Sequence, residues 1–236
     1  MVSLRVQLAG LELRNPILSA SGTFGHGLEM QHIVPPELVG GLVSKTVTLA
    51  PRPGNPMPRI CETEAGFLNS IGLENRGVES YVEHTLPTLG GADTRIVTNV
   101  GGYGLDDFAR MVERLDGEEV IDAFEINLSC PNVQGGKLPF STDPDTAEEA
   151  IRRVRGATGR PVIAKLSPNV TRIGDIAEAV ERGGADAITA VNTVLGMAVD
   201  WRRRTPGLAT VKGGYSGKAI KPIALRCALE LSLIHI

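Results

Sequence analysis

Between Ile17 and Thr193, short apolar runs end again and again in small or polar residues, with amphipathic segments between the later ones. The runs are "ILSAS", "LVSKT", "IVTNV", "FEINLSC", "VIAKLS" and "AITAVNT". The helical segments are Val78 to Leu89, Asp106 to Leu115, Thr146 to Gly156 and Ile173 to Arg182. Strands joined by helices pair in parallel, because a parallel pair needs a long crossover. The polar ends are Ser19 and Ser21, Lys45 and Thr46, Asn99, Asn127 and Cys130, Lys165 and Ser167, and Asn192 and Thr193. An open doubly wound sheet uses one crevice at a switch point. Polar groups ending nearly every strand instead match the rim of a (β/α)8 barrel, where active sites are built.

The expected fold is therefore α/β, a (β/α)8 TIM barrel with about six of its eight strands in this chain. "LRVQLAGLEL" alternates about Gly10 and predicts an N-terminal β-hairpin. Asp143 or Asp145 is placed to cap the helix that follows. A last helix is expected from about Gly217 to Glu230. One domain spans 1–230, and two further strand–helix units are expected beyond it. The final "LSLIHI", residues 231–236, reads as a non-native tail resembling the translated end of a sequencing adapter. The long segment "APRPGNPMPRICETEAGFLNSIGLENRG" carries Phe67, Leu68, Ile71 and Leu73 and is expected as a loop packed over the molecule.

Net charge is −3, so no global basic field attracts nucleic acid or anionic membrane. The run Arg202-Arg203-Arg204 reads as a solvated loop. The three cysteines form no C-x-x-C pair and the histidines have no ligand spacing, so no metal site is expected. Free thiols, no signal-peptide pattern and no long apolar run point to a cytoplasmic protein.

Cys130 stands where an apolar strand meets the polar loop "PNVQGG". Most free cysteines are filler; one in such a loop can act as a base or nucleophile. Lys45 and Lys165 each end an otherwise apolar strand, and lysine rarely enters such a run unpaired. With no carboxylate in their own strand ends, they suggest a bound anion rather than rim lysines extending into water. Asn69, Asn99, Asn127, Asn132 and Asn192 suit a planar, amide-rich ligand. No G-x-G-x-x-G lies between a strand and a helix, which leaves a Rossmann dinucleotide site unsupported.

Seven segments in register, "NPILSASGTFG", "SKTVT", "GNPMPRICETEAGFLNSIGLEN", "TNVGG", "EINLSCPNV", "AKLSPNV" and "AVNT", resemble class 1 dihydroorotate dehydrogenase, from Leu4 to about Leu229. The resemblance implies an FMN enzyme oxidising (S)-dihydroorotate to orotate in pyrimidine biosynthesis. By that likeness Cys130 is the base at C5. Lys45, Asn69, Ser70, Ile71, Gly72, Leu73, Asn127, Asn132, Asn192 and Thr193 hold substrate. Ser21, Lys45, Thr46, Asn99, Asn127, Lys165, Val191 and Gly217 contact FMN, and Lys45 counts also as catalytic. The segments "GNPMPRICETEAGFLNSIGLEN" and "NVQGGKLPFSTDP" look most like class 1B, which implies a homodimer within a heterotetramer. Its electron-transfer subunit carries FAD and a 2Fe-2S cluster and reduces NAD+. Rival readings are a fumarate-linked class 1A enzyme, a dihydropyrimidine dehydrogenase-like or tRNA-uridine flavoenzyme, and an inactive fragment. Without the phosphate loops of strands seven and eight, this chain alone is expected to be unstable or to bind flavin poorly.

Overall fold

The computed structural model describes residues 2–129 and 140–234. The N-terminal alternation forms the hairpin β1 (Val6–Leu8) and β2 (Leu11–Leu13), turned at Ala9 and Gly10, both with positive φ. Strand β3 (Gly41–Val43) opens the parallel sheet. The segment after it is not simply a loop, since it holds the hairpin β4 (Ile60–Thr63) and β5 (Gly66–Asn69). The helical run expected from Val78 comprises α1 (Gly77–Ser80), a π-helical stretch Tyr81–Thr85 and α2 (Leu86–Leu89). Strand and helix then alternate as β6 (Arg95–Val100), α3 (Leu105–Leu115), β7 (Ala123–Asn127), α4 (Pro144–Ala157), β8 (Val162–Lys165), α5 (Ile173–Arg182) and β9 (Ala187–Thr189). Strands β10 (Val194–Met197), β11 (Val199–Asp200), β12 (Thr205–Pro206) and β13 (Lys212–Ser216) precede helix α6 (Lys221–Ile234).

The main sheet has the order β3-β6-β7-β8-β9, every pair parallel, as expected of successive barrel strands. The segment expected as a sixth strand, Ile17–Ala20, makes only a bridge from Leu18 to Gly41. Its ladder is broken by a side chain: Ser19 Oγ accepts the Val43 N–H at 2.8 Å, where a backbone carbonyl would otherwise stand. A second, antiparallel sheet has the order β10-β13-β5-β4. It escapes sequence patterning because "KGGYS" and "VLGM" carry glycine in strand interiors, where no side chain marks a face.

Side chains alternate across each strand, so one parity of residues faces the helices and the other the concave side. The outward set, including Val100, Phe124, Ile126, Val162 and Ala164, packs with Phe108, Met111 and Val112 of α3, Ile151 and Val154 of α4, and Ile176 and Val180 of α5. The inward set begins apolar: Val43, Val97, Ala123 and Ile163 cluster with Ala187, Leu11 and Leu18. The N-terminal hairpin thus helps close the bottom of the concave side. Helix α6 packs on α5 and puts Cys227 and Leu231 into the outer core.

Of the two candidate caps of α4, Asp143 does the work: its carboxylate accepts the Thr146 N–H at 2.9 Å, with Pro144 following in the first turn. Asp143→Ala is expected to lower unfolding free energy by about 1 kcal/mol in urea titration, with the slope unchanged.

Candidate active site

Two residues above the apolar inward layer, the same parity places Lys45, Asn99, Glu125, Lys165 and Thr189, and above Glu125, Asn127. The concave face therefore changes from apolar to polar toward the C-terminal ends of the strands. Asn99 and Glu125 are register partners, as are Asn127 and Lys165, and Lys165 and Thr189. A cleft of about 320 Å³ is lined by Ser21, Glu125, Lys165, Thr189 and apolar residues including Leu18 and Ile163.

The hydrogen bonds join neighbouring strand ends. Asn127 Nδ2 donates to Thr46 Oγ1 at 3.4 Å, and Thr46 Oγ1 lies 3.4 Å from Ser21 Oγ. Ser129 Oγ donates to Asn127 Oδ1 at 2.7 Å and accepts from Asn192 Nδ2. Asn192 Oδ1 accepts the Thr193 N–H at 2.8 Å. The segment 69–73 lies at the same mouth. Asn69 pairs with Gly214 of β13 and donates from Nδ2 to its carbonyl at 3.3 Å. Ser70 N–H and Ile71 C=O are held by Arg59 O and Asn55 N–H, both at 2.9 Å. Gly72 and Leu73 both have positive φ. A Cβ built on Gly101 would lie 2.6 Å from Thr46 Cγ2 and 3.3 Å from Leu73 Cδ1, so Leu73 reaches the rim at Thr46. Val191 packs beside the outer core, and Gly217, with φ 119°, precedes the turn Lys218–Ile220 against Ala65 and Gly66.

Lys45, Thr46, Asn99, Asn127, Lys165, Ser21, Asn192 and Thr193 thus share one end of the sheet, with 69–73 tied to it. Cys130 and Asn132 lie outside the described residues; Cys130 directly follows Ser129 in sequence. Behind the site, His26 stands 5.3 Å from the Tyr81 ring. Burial pushes its imidazole below the ordinary value; Glu29 opposes this and Lys45 adds to it. Burial likewise pushes the Tyr81 phenol up.

Sequence reading missed Glu125, Thr189 and Ser129. Asn99 Nδ2 donates to Glu125 Oε1 at 2.5 Å and Thr189 Oγ1 to Oε2 at 2.6 Å. A carboxylate therefore stands in the same layer as Lys165, supplied by the neighbouring strand rather than Lys165's own. The signal was present: an acidic residue inside the apolar run "AFEIN".

Lys165 is 7% exposed, and among the described residues neither it nor Lys45 is in an ion pair. Burying most of a lysine is unfavourable unless a partner or ligand meets its charge. Asn99 Oδ1 and Ser70 Oγ are buried without hydrogen-bond partners among the described residues. Lys165 on a half-apolar cleft, with Lys45 and two unmet polar atoms at the same end of the sheet, fits an anionic cofactor or substrate with N–H and O–H groups, and FMN is such a group.

The parallel sheet, its helix-covered outer face and its polar rim define a (β/α)-barrel protein with its site at the C-terminal ends of the strands. The solved structure of dihydroorotate dehydrogenase from Eimeria tenella in complex with ferulenol superposes with a TM-score of 0.79 at 20% identity, covering 98% of this chain and 70% of that one, and shares this fold. The dihydroorotate dehydrogenase family profile matches residues 3–234. Catalytic subunits of dihydroorotate dehydrogenase B (NAD(+)) from Geobacter sp. strain M21 and Alkaliphilus metalliredigens are each 46% identical over 98% of this chain, covering 78% and 76% of their own lengths. That from Geobacter sulfurreducens is 47% identical over 97% of the chain and 75% of its own length. The chain belongs to the dihydroorotate dehydrogenase family, a family of oxidoreductases.

Proposed function

We propose that this chain is the catalytic part of an NAD+-linked dihydroorotate dehydrogenase, oxidising (S)-dihydroorotate to orotate with FMN in pyrimidine biosynthesis. The observation that carries the reading is the buried Lys165, in no ion pair among the described residues, beside Asn127 on the rim that Asn99 shares. Residues 1–230 serve as one barrel domain. Ser21, Lys45, Thr46, Asn99, Asn127, Lys165, Val191 and Gly217 hold the cofactor, and Asn69 to Leu73, Asn127, Asn132, Asn192 and Thr193 hold substrate. FMN supplies the two-electron acceptor for the hydride leaving substrate C6. Cys130, as thiolate, takes the C5 proton, and the electron pair of the broken C5–H bond becomes the C5=C6 π bond as the C6–H pair leaves with the hydride. Lys45 and Lys165 place positive charge where negative charge accumulates during reduction. Ser129 ties Asn127 to Asn192, which keeps both amides aimed while substrate exchanges.

The relatives' name, catalytic subunit, supports a second subunit that takes electrons onward; FAD and a 2Fe-2S cluster on it, a heterotetramer, and a cytoplasmic setting complete the proposal. Among the described residues no helix is long and apolar enough to cross a membrane.

Protein carried at the full length of the relatives it matches and supplied with FMN is expected to turn yellow, bleach anaerobically on adding dihydroorotate, and release orotate in equal amount. Bleaching by dihydrouracil but not dihydroorotate would transfer the chain to the pyrimidine-reducing branch. Protein that binds FMN but is bleached by neither would reject the reading.

A further inference from the structure

Glu125 is 3% exposed, on the floor of the polar layer, and it carries a hydrogen-bond donor on each oxygen: Asn99 Nδ2 on Oε1 and Thr189 Oγ1 on Oε2. An amide can present either end to a neighbour; a carboxylate used as acceptor at both oxygens admits only the nitrogen. Asn99 is itself fully buried, and its backbone N–H is fixed on Ser44 Oγ at 3.1 Å. Its side chain therefore has one orientation, with Oδ1 turned away from Glu125. That oxygen is buried and has no partner among the described residues. A buried acceptor left unmet costs about 1–3 kcal/mol, and a ligand donor seated there removes that cost. Lys165, on the wall of the same cleft, supplies positive charge near the carboxylate.

We propose that Glu125 is a positioning residue that makes Asn99 an obligate acceptor, so that the ligand group seated there is a donor, an N–H or O–H of the flavin. Thr189 completes the clamp by holding the second carboxylate oxygen. The assignment rests on the flavoenzyme reading above and goes beyond it, because it sets the polarity of one contact and assigns it to a carboxylate that acts through Asn99.

Glu125→Gln keeps the shape but offers an amide, which admits both orientations of Asn99. The dissociation constant for FMN, read by flavin fluorescence in the full native polypeptide, is expected to rise about tenfold. Asn99→Ala is expected to weaken FMN to a similar degree. In the Asn99→Ala background, Glu125→Gln is expected to change affinity by less than about twofold, because the amide it orients is gone. Thr189→Val, which leaves Asn99 intact, serves if Glu125→Gln does not fold. It is expected to weaken FMN about threefold, and to lose that effect in the Asn99→Ala background. Equal, additive losses in both backgrounds would mean that Glu125 supports the barrel generally, and would overturn the assignment. So would Glu125→Gln protein that binds FMN as tightly as wild type. Wild-type protein that binds no FMN would reject the flavoenzyme reading and the assignment together.

Discussion

Lys165→Met is expected to reduce FMN affinity by about two orders of magnitude while leaving the flavin-free protein as stable as wild type or more so. The two effects have one cause. Lys165 ends β8 on the cleft wall, 7% exposed as a residue, and among the described residues it is in no ion pair. In the flavin-free protein that charge faces the cleft with no ion-pair partner among the described residues, so little offsets its desolvation. Methionine fills a similar volume with no charge to desolvate, so the apo state loses nothing and its Tm holds or rises. The bound state loses a desolvated cation facing an anionic ligand, an interaction worth ~2–5 kcal/mol when one partner is truncated. Fluorescence titration and thermal melts of the same preparations separate the two. A variant that melts early yet binds FMN normally would make Lys165 a structural residue and remove the main support for the flavin site.

Cys130→Ser is expected to lower dihydroorotate oxidation near neutral pH by about a hundred- to ten-thousand-fold, with FMN affinity unchanged. A serine hydroxyl is a far weaker acid than a thiol, so little of it is present as the anion that accepts the C5 proton. The lost rate should return in part as pH rises, because the proton can then go to solvent hydroxide. Stopped-flow flavin bleaching reports this step apart from later electron transfer. Undiminished bleaching at neutral pH would take Cys130 out of the mechanism. Ser129, next to it in sequence, already belongs to the rim network: it bonds Asn127 and Asn192 across β7 and the chain after β9.

The rim was legible because the inward parity of each parallel strand is apolar at its start and polar at its end. Val97 then Asn99, and Ile163 then Lys165, show this within a single strand. A side-chain period of two is a local property, so it survives in a one-dimensional string. Ile17–Ala20 misled for the converse reason: its run is apolar, yet the Ser19 hydroxyl takes the Val43 N–H that a ladder would need. The second sheet was invisible because its pairings, such as Asn69 with Gly214, join residues 145 apart and run through glycine-rich strands.

From the sequence alone came the barrel, its N-terminal hairpin, and nearly all the amides and ammonium groups of the rim, because strand period and helix spacing are written into neighbouring residues. Tertiary structure alone decided that Glu125 faces Asn99 and Thr189, that Lys165 is buried without an ion-pair partner among the described residues, and that the 69–73 segment is moored to the mouth by β13. Those contacts depend on the register between strands and on the closing of long loops, and neither is set by the residues adjacent in the chain.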